Sequence, residues 1–112
     1  MNKFVIFAFN GNPMCFVHVL LNAIDMDKKG IDAKIVVEGE AVKLIKDMEE
    51  SANPLYKEAK EKGLIDSICK ACSAKMEVLD FNETVGIPLA DDMSGHPSMA
   101  SYIEKEYQII TL

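Results

Sequence analysis

The chain reads as an α/β protein: a three-layer sandwich whose mostly parallel sheet of about five strands is flanked by helices. Three observations predict this. Apolar runs of strand length, over residues 4–9, 33–37 and 64–68, alternate with segments of helical period. Each run ends in turn-forming or polar residues. None shows the in–out alternation of a half-exposed strand, so each is buried on both faces, as in a parallel sheet covered by helices.

Residues 4–9 form the first expected strand, ended by Asn10-Gly11-Asn12-Pro13. With Lys3 ahead of it, this run superficially resembles a signal peptide. The turn breaks it too early, and no convincing small-residue cleavage site follows. Residues 14–29 read as a helix closed by Gly30. The strand over 33–37 ends at Glu38-Gly39, and Ala41, Leu44, Ile45 and Met48 then mark an amphipathic helix. Asn53-Pro54 supplies an N-cap and an N1 proline for a helix over 55–62, stopped by Gly63. The third strand, 64–68, runs into Cys69-Lys70-Ala71-Cys72 and a short helix over 69–76. Beyond it the pattern allows either a helix over 81–85 or a short strand over 78–81. Pro97 is expected to start a last helix with Met99, Tyr102 and Ile103 as its apolar face, and residues 107–112 close the chain as a strand.

The 112 residues are 49% hydrophobic and 27% charged, which suits a single folded domain over 1–112. A net charge of −6 repels phosphate backbones, so no direct nucleic-acid contact is expected. Three cysteines in no regular framework point to a reducing compartment, and no run is long and apolar enough for a membrane span. A cytoplasmic location follows as the expectation, with no membrane partner.

Crossover connections in a parallel sheet gather the loops after strands one, two and three on one edge. Residues 10–15, 38–40 and 69–72 are therefore expected to share a site. Cys69 is the candidate nucleophile, because a thiol at a helix N-terminus is favoured as thiolate, and Lys70 and Lys75 add positive charge. Cys72 is its candidate partner, by resolving a disulfide or taking sulfur passed to it. The other reading of both is a packed strand–helix junction. Cys15 and His18 lie on the narrow polar stripe of the first helix, with Asn22, Asp25 and Lys29. They either join the site after the first strand or are a helix-start cysteine and an interface histidine. So narrow a stripe suggests a helix covered twice, by the sheet and by a second subunit. His96, between Gly95 and Pro97, is a candidate acid–base group or metal ligand, or else a capping residue in a surface turn.

Cys15, Cys69, Cys72 and a histidine are zinc-ligand types, but the second tight pair of a zinc signature is missing. Neither a metal nor a cofactor is expected. A thioredoxin-type pair follows the first strand of its fold, whereas this pair follows a later one. No G-x-G-x-x-G or P-loop run supports a nucleotide site.

Across nearly its whole length the chain resembles the DsrE/DsrF-like family of small α/β sulfur-relay proteins. The likeness rests on Val36-Val37-Glu38-Gly39-Glu40-Ala41-Val42, Asn53-Pro54-Leu55-Tyr56 and Ile68-Cys69-Lys70-Ala71-Cys72. The closing stretch, from Asp91-Asp92-Met93-Ser94-Gly95-His96-Pro97 to Leu112, is similar to a DsrE-like subgroup. The resemblance implies a DsrEFH-like sandwich assembled as a homotrimer or homohexamer. It implies a sulfur carrier that holds sulfane sulfur as a persulfide on Cys69, the cysteine directly after a central strand, with sulfur donor and acceptor proteins as partners. A glycine usually stands two turns beyond that cysteine; here the residue is Glu77. The alternative is a non-enzymatic oligomeric scaffold or small-ligand-binding protein with structural cysteines.

Overall fold

The computed structural model describes residues 2–112. Five strands, β1 (Lys3–Ala8), β2 (Asp32–Val37), β3 (Ile65–Cys69), β4 (Leu89–Ala90) and β5 (Gln108–Thr111), form one sheet in the order β4-β3-β2-β1-β5. Every neighbouring pair is parallel, so the sheet is wholly rather than mostly parallel. The apolar run that resembled a leader is an interior strand, paired with β2 from Lys3↔Asp32 to Ala8↔Val37. Between β2 and β3 the register passes from Ile35↔Ile65 to Val36↔Ser67, so β3 carries one extra residue at Asp66.

The long connections are helical: α1 (Pro13–Lys28), α2 (Leu44–Glu50), α3 (Pro54–Glu61), α4 (Lys70–Lys75), α5 (Leu79–Asn82) and α6 (Met99–Glu104). Two of them start as the sequence demands. Asn12 Oδ1 accepts from the N–H of Met14 at 2.8 Å and of Cys15 at 3.3 Å, and Asn53 Oδ1 accepts from Leu55 and Tyr56 N–H at 3.0 and 3.1 Å. Both carry proline at the first helical position, where its missing N–H costs nothing.

Alternate strand residues feed two cores. Ile6, Ala8, Ile35, Val37 and Ile68 join Phe16, Leu20, Ile45 and Tyr56 in the larger. Val5, Phe7 and Val36 meet Tyr102 and Tyr107 in the smaller. The sheet thus lies between a thick layer, which includes α1 to α3, and a thin one made by α6 and the chain around it. Among the described residues, no helix is long and apolar enough to cross a membrane.

Several expected elements move. The helix expected from Ala41 begins as a 3-10 turn over Gly39–Lys43. Gly39 has φ +53°, and a side chain there would bring Cβ to 3.1 Å from the Phe9 carbonyl, so the β2 exit requires glycine. Residues 78–81 form no strand: α5 occupies Leu79–Asn82, and the fourth strand is the two-residue β4. Pro97 precedes the last helix instead of opening it. Ser98 Oγ caps α6 by accepting from Ser101 N–H at 3.3 Å. Tyr102 is buried by that helix, but Ile103 is 58% exposed and does not belong to its packed face.

Candidate functional site

The carboxyl ends of β2, β3 and β4 deliver four reactive side chains to one place. Glu38 directly follows β2, Cys69 ends β3, Cys72 lies in the first turn of α4, and His96 lies in the loop between β4 and α6. One ligand-type atom from each falls within 4.8 Å of all the others. Cys69 Sγ is 3.1 Å from His96 Nδ1, and Cys72 Sγ is 3.7 Å from the same nitrogen. Glu38 Oε1 stands 3.6 Å from it on a further side.

Local backbone geometry fixes each group. Cys69 is the N-cap of α4, and its sulfur accepts the Cys72 N–H at 3.3 Å. Behind it, the Ser73 hydroxyl donates to the Cys69 carbonyl at 2.8 Å, and Asn82 Nδ2 donates to Ser73 Oγ and to the Val42 carbonyl, each at 3.1 Å. Ser73 and Asn82 are wholly buried. His96 is held by a two-way bridge with Met93, N–H to carbonyl, at 2.9 and 2.8 Å. Its loop docks on α4 through the Ala71 N–H and the Gly95 carbonyl at 2.8 Å. Gly95 has φ +89°, and a Cβ there would come within 3.0 Å of the Ala71 Cβ. Glycine at 95 therefore lets the loop close down on the cysteine pair. Glu38 is anchored by its own N–H, which donates to the Ala8 carbonyl at 2.8 Å.

The electrostatics reverse one expectation. Cys69 is 0% exposed, and burial pushes its thiol up to about 12. The Cys72 side chain and the Glu38 carboxylate push the same way, opposed only by the Cys72 N–H. A six-residue helix supplies too little dipole to outweigh this. Lys70 does not help, because it is exposed and its ammonium lies 3.7 Å from Asp91. The expected thiolate is thus a protonated, buried thiol. Burial also raises the Glu38 carboxyl above its ordinary value, although His96 pulls it down through charge and hydrogen bonding.

Of the residues singled out in the sequence, Cys69, Cys72 and His96 converge. Cys15, half-buried in the first turn of α1, contributes no ligand atom to the group, and His18 is exposed on α1 with its carbonyl taken by Asn22 Nδ2 at 2.8 Å. Glu38 was placed at this edge by the sequence without a chemical role. Its position directly after a buried strand was the available signal. Ser73 and Asn82 gave none, since a lone serine and asparagine in short helices read as solvent-facing.

An uncharacterised protein of Methanocaldococcus jannaschii is 36% identical to the chain over 114 residues, spanning 97% of this chain and 93% of that protein. An uncharacterised protein of Archaeoglobus fulgidus is 38% identical over 39 residues, 35% of this chain and 64% of its own length. No family model matches the chain, and no solved structure does.

Proposed function

The chain belongs to the same family as the M. jannaschii protein, and we propose that it is a cytoplasmic, DsrE-like sulfur carrier that holds sulfane sulfur as a persulfide on Cys69. One observation carries this reading: Cys69 Sγ lies 3.1 Å from His96 Nδ1, a thiol and a base within proton-transfer reach. A buried thiol with a raised pKa needs such a base at the moment of attack. In the loading step the Cys69 proton passes to His96 as sulfur attacks the terminal sulfur of a donor persulfide. The donor S–S bond breaks, a Cys69 S–S bond forms, and the donor thiolate leaves with the proton from His96. Electrons balance without an external oxidant. Delivery is the reverse, with an acceptor thiolate attacking the terminal sulfur. Cys72 offers a second exit. Its attack on Cys69 Sγ releases sulfide and leaves a Cys69–Cys72 disulfide, which a dithiol reductant must then open.

Exposure supports entry from one side, because Cys72 is half-buried and the His96 side chain is 40% exposed. Met14 and Leu21, 70% and 45% exposed on α1, are the surface that further copies would cover in a homo-oligomer. Incubation with polysulfide tests the carrier reading: intact-mass and peptide analysis should show one added sulfur on Cys69, absent in Cys69→Ser and kept in Cys72→Ser. An unmodified Cys69 under conditions that load a control carrier overturns it.

The complete burial of Cys69 favours a second reading, a scaffold or small-ligand-binding protein whose cysteine pair packs the β3–α4 junction. Native alkylation separates the two. Strong protection of both motif thiols, together with unloaded Cys69, selects the scaffold.

A further inference from the structure

Glu38, Cys69, Cys72 and His96 present a carboxylate oxygen, two sulfurs and an imidazole nitrogen to a common point. With zinc–sulfur bonds near 2.3 Å and zinc–nitrogen or –oxygen bonds near 2.0 Å, a tetrahedral centre spaces its ligand atoms by about 3.3–3.8 Å. The separations from His96 Nδ1 are 3.1 Å to Cys69 Sγ, 3.6 Å to Glu38 Oε1 and 3.7 Å to Cys72 Sγ. The other three separations are within 4.8 Å, so side-chain shifts of up to about 1 Å bring all six into that range.

The hydrogen-bond inventory points the same way. Deprotonated, all four groups are acceptors, and Glu38 and Cys69 are buried at 8% and 0% exposure. The donors that reach the cluster are few: the Cys72 N–H to Cys69 Sγ, and the groups' own protons, of which the Cys69 thiol can also give its own to the Gly95 carbonyl at 3.8 Å. A divalent cation satisfies all four lone pairs at once and screens the mutual repulsion that otherwise keeps the thiol and the carboxyl protonated. The frame is also fixed in advance by the α4 cap, the Met93–His96 bridge, the Gly95–Ala71 contact and the Glu38–Ala8 bond. Two sulfurs with one nitrogen and one oxygen suit zinc and its cobalt surrogate, and not the all-oxygen shells of magnesium or calcium.

We propose that Glu38, Cys69, Cys72 and His96 form a four-coordinate site for a zinc-class divalent cation. It uses Glu38 where the sequence suggested Cys15, and it stands whether or not the protein carries sulfur.

The test is titration of the reduced, chelator-stripped full chain with Zn²⁺ against a chromophoric chelator, and with Co²⁺ followed by absorbance. The expected result is one ion per chain, with intense tetrahedral cobalt bands and thiolate-to-metal charge transfer. Cys72→Ser and His96→Ala should weaken binding by at least about tenfold, and Cys15→Ser should leave it unchanged. Because those two losses also follow from misfolding, Glu38→Cys is the decisive variant. It should still bind, with cobalt charge transfer raised by about half as a third thiolate enters the shell. Weak octahedral cobalt spectra, a Glu38→Cys spectrum equal to that of the parent, or equal losses from Cys15→Ser and Cys72→Ser would each overturn the site. Denaturing mass spectrometry of the same sample reports sulfur on Cys69 separately, so zinc without persulfide defeats only the carrier reading, and persulfide without zinc defeats only this one.

Discussion

Two kinds of polar cluster sit in this small protein, and they are built on opposite rules. Around the tyrosines, every hydroxyl donor has a carboxylate acceptor. Tyr102 donates to Asp66, Tyr107 to Asp32 at 3.0 Å and Tyr56 to Glu49 at 2.6 Å, with Lys60 adding a 2.7 Å contact to the same Glu49 oxygen. At the carboxyl edge, by contrast, Glu38, Cys69, Cys72 and His96 bring four acceptors together with few protons to share. The first kind stitches α3, α6 and the end of the chain to their neighbours and stabilises the fold. The second is held in place by the backbone around it, with Cys69 packed into the larger core.

The largest expected effect tests that division directly. Cys69→Ser should abolish sulfur loading while keeping stability within about 1 kcal/mol, because serine is itself a good helix cap. A denaturant melt of this variant that falls by several kcal/mol would make the edge as structural as the tyrosine pairs. Next is Asn82→Ala, which removes the donor to Ser73 and Val42 behind Cys69. It should cost about 2–3 kcal/mol in urea unfolding, since two buried acceptors lose their partner. Tyr102→Phe should cost about 1.5–2 kcal/mol, the worth of a hydrogen bond to a charged acceptor, with sulfur loading unchanged.

The tyrosines also set an alkaline limit. Burial raises all three, followed in each case by the hydrogen bond and charge of its carboxylate partner: Glu49 for Tyr56, Asp66 for Tyr102, and Asp32 for Tyr107, which reaches about 12. Above the ordinary value of 10.0 the unfolded chain loses these protons while the folded one keeps them. Their contribution is therefore fully present below that pH and lost as pH rises toward the folded values. Tyrosinate absorbance should appear together with unfolding; tyrosinate forming at its ordinary pH in the folded protein would contradict the pairing.

The smallest effect concerns Glu77, which stands where the DsrE-like resemblance leads one to expect glycine. It adopts φ +61°, the conformation glycine takes without strain. Glu77→Gly should raise stability by about 0.5–1 kcal/mol in thermal melts, with the site unaffected.

The helix starts at Asn12-Pro13 and Asn53-Pro54 were legible because cap and proline are local signals. The three long strands were legible because each is mostly apolar and bounded by turn-forming or polar residues. The strand Leu89–Ala90 was not, since two residues carry no period, and neither was the preference of residues 79–82 for helix over strand. Ser98 displaced Pro97 as the start of α6 because a hydroxyl can cap the first turn and a proline cannot. At the site, spacing exposed Cys69 and Cys72, and the Gly95-His96-Pro97 loop exposed His96. Glu38 went without a role because an acid after a strand usually faces water, and burial is a property of the assembled sheet. Cys15 shares the sheet edge in sequence order, yet β1 lies on the far side of β2 from β3, so adjacency in the chain of loops did not become adjacency in space.

The extra residue that β3 carries at Asp66 has a consequence for inheritance. Side chains along a strand point alternately to either face, yet Ile65 and Ile68, three residues apart, both join the larger core, because the bulge absorbs the extra residue. Cys69 then ends the strand against the His96 loop. Deleting Asp66 would leave a regular strand with Ser67 still opposite Val36 and Ile68 opposite Val37, so the thiol would stay in step with Glu38 and the loss would fall on the Tyr102 hydrogen bond. A descendant of this chain can therefore lose the bulge residue and keep the site.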